Sequence, residues 1–129
     1  MTPHVPTLDD AVRTLRDRLT ERAFEPTLTI KRLSCEVWFN ARYVQECFSI
    51  TYGESPWRYV ERLRVELACR LLREPGRIRD VGEIVGYRST ATFNAAFRRR
   101  LGVNPSAYRR LVRAGASEEL LAGLLDARH

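Results

Sequence analysis

The stretch at 85–110, V-G-Y-R-S-T-A-T-F-N-A-A-F-R-R-R-L-G-V-N-P-S-A-Y-R-R, has an echo earlier in the same chain. Residues 37–59 read V-W-F-N-A-R-Y-V-Q-E-C-F-S-I-T-Y-G-E-S-P-W-R-Y. From Asn40 onward an offset of 49 makes Phe48 and Phe97, Gly53 and Gly102, Pro56 and Pro105, and Tyr59 and Tyr108 identical. Asn40 with Ser89, Val44 with Phe93 and Cys47 with Ala96 are chemically alike. Upstream the offset falls to 48, pairing Val37 with Val85 and Phe39 with Tyr87, so Arg88 is a one-residue insertion. Self-similarity at such a spacing marks a duplicated supersecondary unit, and two copies fall short of the three or so a solenoid needs.

Each copy reads as short helix, tight turn, capped second helix, then Gly and Pro, which is a helix-turn-helix. In that motif the first helix braces and the second, the reader, lies in the major groove. Val44 with Phe48, and Phe93 with Phe97, stand four residues apart and define the inner face of each reader. The opposite face of the first then carries Arg42, Gln45, Glu46 and Ser49, and that of the second Thr90, Ala91, Asn94, Ala95 and Arg98.

Outward from the readers, helical signals dominate and the expected fold is all-α: two helix-turn-helix lobes joined by a long linker helix, with extra N- and C-terminal helices. Thr7 and Asp10 form a capping-box pattern ahead of Leu8, Val12, Leu15 and Leu19 on one helix face. Residues 1–27 are assigned to this first helix, packing on the first lobe. Residues 28–55 form the first motif, with Thr29 as cap candidate for a short helix through about Val37. Asn40 caps the reader at about 41–52, and Gly53 stops it. Pro56 opens the linker helix, 56–73, with Trp57, Val60, Leu63, Leu67 and Leu71 as its buried face. The second motif, 74–113, has helices near 79–85, 90–100 and 105–113. Ser117 opens an eighth, about 117–127 within a 114–129 segment, whose Leu120, Leu121, Leu124 and Leu125 need covering.

Composition narrows the function. The chain has 129 residues, 44% of them hydrophobic and 29% charged, with a net charge of +6, as expected of a soluble globular protein. No apolar run reaches the roughly 18–20 residues of a membrane span and no signal peptide is visible, so the expected location is the cytoplasm, away from membranes. Residues 70–113 hold eleven Arg against Glu74, Asp80 and Glu83, a local excess of +8, whereas the rest of the chain sums to about −2. That asymmetry suits a phosphate backbone; an Arg-rich solvated face, or genomic composition bias, would look similar. Cys35, Cys47 and Cys69 lack metal or redox spacing and read as small core hydrophobes. The two His, His4 and His129, lie at the chain ends, leaving little for a nucleophile pair or a metal site. No enzyme activity and no cofactor are expected.

Residues 28–110 resemble the DNA-binding domain of AraC/XylS-type transcription regulators. The match is carried by the 85–110 stretch, by R-L-R-V-E-L-A-C-R-L-L at 62–72, and by the G-x-x-P-x-x-Y ending of both copies. The resemblance implies two reader helices in successive major grooves of bent double-stranded DNA, and activation or repression of transcription through contact with RNA polymerase. About 27 residues precede the motifs, room for one helix, so the expectation is a small stand-alone member. A DNA-binding domain cut from a larger ligand-responsive regulator is the alternative. The chain departs from the family at Trp38, where the turn usually has Gly; at Glu46, where a basic or neutral reader is common; and in the small side chains of the second reader.

The expected base contacts are Arg42 on guanine, Gln45 on adenine and Glu46 on cytosine N4, with Asn94 and Thr90 in the second copy. Arg88, Arg98, Arg99 and Arg100 are expected on phosphates. A linker of about 16 residues is roughly 24 Å long, short of the 34 Å or so between successive groove faces, so one monomer is expected to span them through its lobes or by bending the DNA. The first motif would read sequence and the second supply affinity. A protein–protein interaction module on the same fold is the rival reading. Trp38 at positive φ would cost about 1–3 kcal/mol, so the first turn is expected to be remodelled.

Overall fold

The computed structural model describes residues 5–116 and residue 123. Among these, regular structure is helical throughout: α1 Leu8–Arg22, α2 Ile30–Cys35, α3 Ala41–Tyr52, α4 Pro56–Leu71, α5 Ile78–Val85, α6 Thr90–Leu101 and α7 Pro105–Arg113. Of the helix expected at 117–127 only Gly123 is described, and its four leucines lie outside the described residues. The chain divides into two units: one holds the residues up to Ala23 and Thr27–Glu61, the other Phe24–Pro26 and the residues from Arg62 on. The division falls inside α4, so that helix supplies side chains to both.

In the first unit, α1 packs on α2 and α3. The Thr7–Asp10 capping box is complete, each side chain bonding the other's backbone N–H. Val12, Leu15 and Leu19 are buried with Leu33, Val37, Val44, Phe48 and Val60. Tyr52 and Tyr59 meet the Phe48 ring edge-on, at 4.7 and 5.7 Å between centroids. Arg18 and Glu36 tie α1 to the end of α2 through an ion pair.

The second unit has a core of Val65, Ala68, Leu72, Val81, Val85, Phe93, Phe97, Leu101 and Tyr108. Its aromatic rings form a chain, Tyr87–Phe93–Phe97–Tyr108, with centroids 5.5–5.9 Å apart. Helices α5 and α6 cross closely because position 82 is glycine. A Cβ there would stand 2.8 Å from Phe93 Cδ2, inside any van der Waals contact.

The linker helix buries a different stripe from the one its leucines suggest. Val60, Glu61, Arg64, Val65, Ala68 and Cys69 are buried, as is Leu72 just past its end; Leu63, Leu67 and Leu71 are only half so, and Trp57 is exposed. Hydrophobicity alone could not select Arg64. It goes inside because its Nη2 donates to the Glu25 carbonyl at 2.8 Å and its guanidinium lies 5.0 Å from the centre of the Tyr87 ring, a cation–π placement. Of the cysteines, Cys69 is buried as expected, whereas Cys47 is intermediate and Cys35 exposed. With Leu33, Ser34 and Val37 turned inward, position 35 has to face out.

Candidate nucleic-acid interface

Each reader helix is pinned at both ends. Asn40 Oδ1 accepts from Tyr43 N at 3.2 Å and Ser89 Oγ from Thr92 N at 3.1 Å, satisfying donors that a helix start leaves unpaired. Gly53 and Gly102 close α3 and α6 in the left-handed conformation, at φ 75° and 79°, which a side chain would disfavour. Val44, Phe48, Phe93 and Phe97 are wholly buried, which fixes how each helix is rotated about its axis.

The two turns leading into the readers are built differently. In the second copy α5 ends at Gly86 with φ 113°, and Tyr87 N donates back to the Gly82 carbonyl at 2.9 Å, a Schellman-type closure. In the first copy α2 stops two residues sooner in the alignment, at Cys35, and Glu36 N donates to the Leu33 carbonyl with Glu36 still right-handed. No described non-glycine residue has positive φ. Trp38 therefore escapes the strain a glycine position would impose: the turn is remodelled, and the indole points into solvent, 82% exposed.

On α3, Arg42 and Glu46 project outward as an i,i+4 pair, Nε to Oε1 3.4 Å, with side chains 90% and 60% exposed. A pair so exposed stabilises little, about 0.3–0.5 kcal/mol, and yields readily to a stronger partner. Gln45 sits at the boundary of the open face: it is half-buried and its Nε2 donates to Ser34 Oγ at 3.0 Å. Helix geometry accounts for this: at 100° per residue, position 45 lies only about 80° from the centre of the Val44–Phe48 face. Tyr43, about half exposed, shares the outward surface, although it is absent from the face expected from the sequence. The signal was in the helix wheel: at 100° per residue, position 43 lies about 120° from the centre of the Val44–Phe48 face.

On α6, Ala91, Thr92, Ala95, Arg98 and Arg99 are exposed and Thr90 and Asn94 half-buried. Arg88 is exposed just ahead of the Ser89 cap. Arg100 departs from the expected phosphate run: it is buried. Seven residues beyond Phe93 and three beyond Phe97, it falls about 40° from the centre of the inner face. Arg109, counted within the basic segment, is buried as well. Two of the eleven arginines that produce the local excess are therefore structural.

A helix-turn-helix domain model matches residues 33–111, more than half the chain. Among curated proteins, one from Streptomyces antibioticus named as an AraC-like transcription regulator is 41% identical over 64 residues, 49% of this chain and 21% of that one. The chain belongs to the AraC-type helix-turn-helix family. Among solved structures, the C-terminal domain of AraT, a response regulator from Geobacillus stearothermophilus, shares 27% identity at a TM-score of 0.74, covering 80% of this chain and 86% of that one. The DNA-binding domain of the global transcriptional factor AdpA, solved with a target DNA, shares 26% at 0.73, covering 84% and 97%. The matched region spans about a fifth to two-fifths of the curated relatives. This AraC-type chain thus carries the duplicated DNA-binding module of transcription regulators. No helix among its described residues is long and apolar enough to cross a membrane.

Proposed function

We propose that the chain is a sequence-specific transcriptional regulator that binds double-stranded DNA as a monomer, inserting α3 and α6 into successive major grooves. The observation that carries this reading is the paired readers, each capped, closed by a left-handed glycine and locked by wholly buried side chains inward. Arg42 forks onto a guanine, Gln45 reads an adenine and Glu46 accepts from a cytosine amine; Asn94 and Thr90 read in the second groove. Arg88, Arg98 and Arg99 hold phosphates. The first motif supplies most of the sequence preference and the second most of the affinity. RNA polymerase is the proposed protein partner, and the cytoplasm the compartment in which both are met.

Selection of bound sites from a random duplex pool, followed by footprinting, tests this. Protection across about two helical turns in a 1:1 complex is expected. Arg42→Ala should relax one base position and weaken the selected site by about 1–3 kcal/mol. A palindromic site bound by a dimer, or equal weakening of selected and random DNA, would sink the monomer reading or the division of labour respectively. Absence of any salt-dependent shift of random DNA would favour the interaction-module reading.

A further inference from the structure

Gln45 is held from behind by a residue that is itself buried and hydrogen-bonded. Ser34 is 0% exposed, and its hydroxyl donates to the Ile30 carbonyl at 2.6 Å. With that proton committed, Ser34 Oγ is left as an acceptor. Only the amide nitrogen of Gln45 can serve it, so the 3.0 Å contact to Nε2 also fixes which way the amide is turned. The second copy cannot build this contact. Position 34 aligns with Gly82, which has no hydroxyl, and position 45 with the shorter Asn94.

A carboxamide has two N–H groups and one oxygen. Bidentate recognition of adenine uses the oxygen and the N–H beside it, on one edge of the amide. The remaining N–H points away from that edge and is the one available to Ser34. A glutamine so anchored keeps its reading edge whole and gives up less rotamer freedom on binding than a free one.

We infer that Ser34 is a positioning residue for base recognition: a buried hydroxyl that touches no DNA yet sets how sharply the first motif discriminates, by holding the Gln45 amide in its reading orientation. The inference rests on the proposed reading of adenine by Gln45, and the two fail in different ways. Ser34→Ala, Gln45→Ala and the double variant of the full chain are compared by site selection and by affinity for the selected duplex, a duplex changed at the Gln45 base pair, and random duplex. Gln45→Ala should erase the preference at one base pair. Ser34→Ala should reduce discrimination at that same pair by about two- to tenfold, the range of a single neutral hydrogen bond, with other positions and random-DNA affinity unchanged. In the Gln45→Ala background, Ser34→Ala should have no further effect on base preference.

If Ser34→Ala keeps full discrimination where Gln45→Ala loses it, the positioning role is wrong and the reading of adenine stands. If Gln45→Ala alters no base preference, both fall. A Ser34→Ala effect spread evenly over all positions, or persisting in the double variant, would mark a folding defect and overturn the inference.

Discussion

Arg109 on α7 donates its Nε to the carbonyl of Leu72, one residue past the end of α4, at 3.0 Å. Its two terminal nitrogens donate to the carbonyls of Gly76 at 2.6 Å and Glu74 at 3.2 Å. One guanidinium thus satisfies backbone acceptors at a helix end, where intrahelical partners run out. Arg109→Ala should destabilise the protein by about 2–4 kcal/mol, since charge-assisted hydrogen bonds contribute about 1.5–3 each and do not add fully. Arg109→Lys should recover only part, lacking the planar fork. Denaturant unfolding measures both; a loss under about 0.5 kcal/mol for the alanine variant, the range of ordinary surface substitutions, would contradict this account.

Arg99 and Arg100 are neighbours with opposite surroundings, one exposed and one buried. Arg99→Ala should lower the slope of log affinity against log salt by about one unit and weaken all sequences alike. Arg100→Ala should leave that slope in place and lower the melting temperature. Salt titrations of both variants on random duplex decide it, and equal slopes for the two would be evidence against the burial of Arg100.

Gly82→Ala should destabilise by about 1–3 kcal/mol, the usual effect of overpacking. Helix propensity alone predicts the reverse sign, a gain of about 1 kcal/mol. The Phe93 ring 2.8 Å from the new methyl decides the outcome. Thermal unfolding of the variant reads the sign directly.

Trp38→Gly restores the residue found at the aligned position of the second copy, yet it should not stabilise. Position 38 lacks positive φ, so glycine relieves no strain and adds freedom to the unfolded chain, costing about 0.4–1 kcal/mol. A stabilised variant would mean that the first turn is strained after all.

Cys69 should resist alkylation in the native protein while exposed Cys35 reacts first, as mass spectrometry of a time course would show. Burial pushes the Cys69 thiol from 9.0 up to about 11 and the Tyr108 hydroxyl from 10.0 up to about 12. Both are acids whose neutral form the fold favours, and the unfolded chain ionises first. Their contribution to stability is therefore intact below about pH 9 and is lost as pH climbs through 11 and 12. The melting temperature should fall over that range, less steeply in Cys69→Ala.

The helices were legible wherever a cap and a stop bracket a run. Asn40 to Gly53 and Ser89 to Gly102 bound the readers as expected, because caps act over three or four residues and leave their signature in the sequence. Burial of charge was not legible. Arg64, Arg100 and Arg109 enter the interior through carbonyls or a ring supplied by remote segments, or through a place on the helix wheel that their charge disguised. Arithmetic at 100° per residue could have put Arg100 inside and Gln45 at the boundary. The Ser34 hydroxyl that receives Gln45 belongs to a different helix, and nothing local announces it.

The unequal turns also mean that the two copies are unequally free to change. At Gly86 a side chain would meet the Phe24 carbonyl at 2.9 Å and the Arg64 guanidinium at 3.0 Å, besides the left-handed backbone. Trp38, its counterpart, borders solvent. Saturation of the two turn positions should therefore find position 38 open to most side chains and position 86 closed to all but glycine.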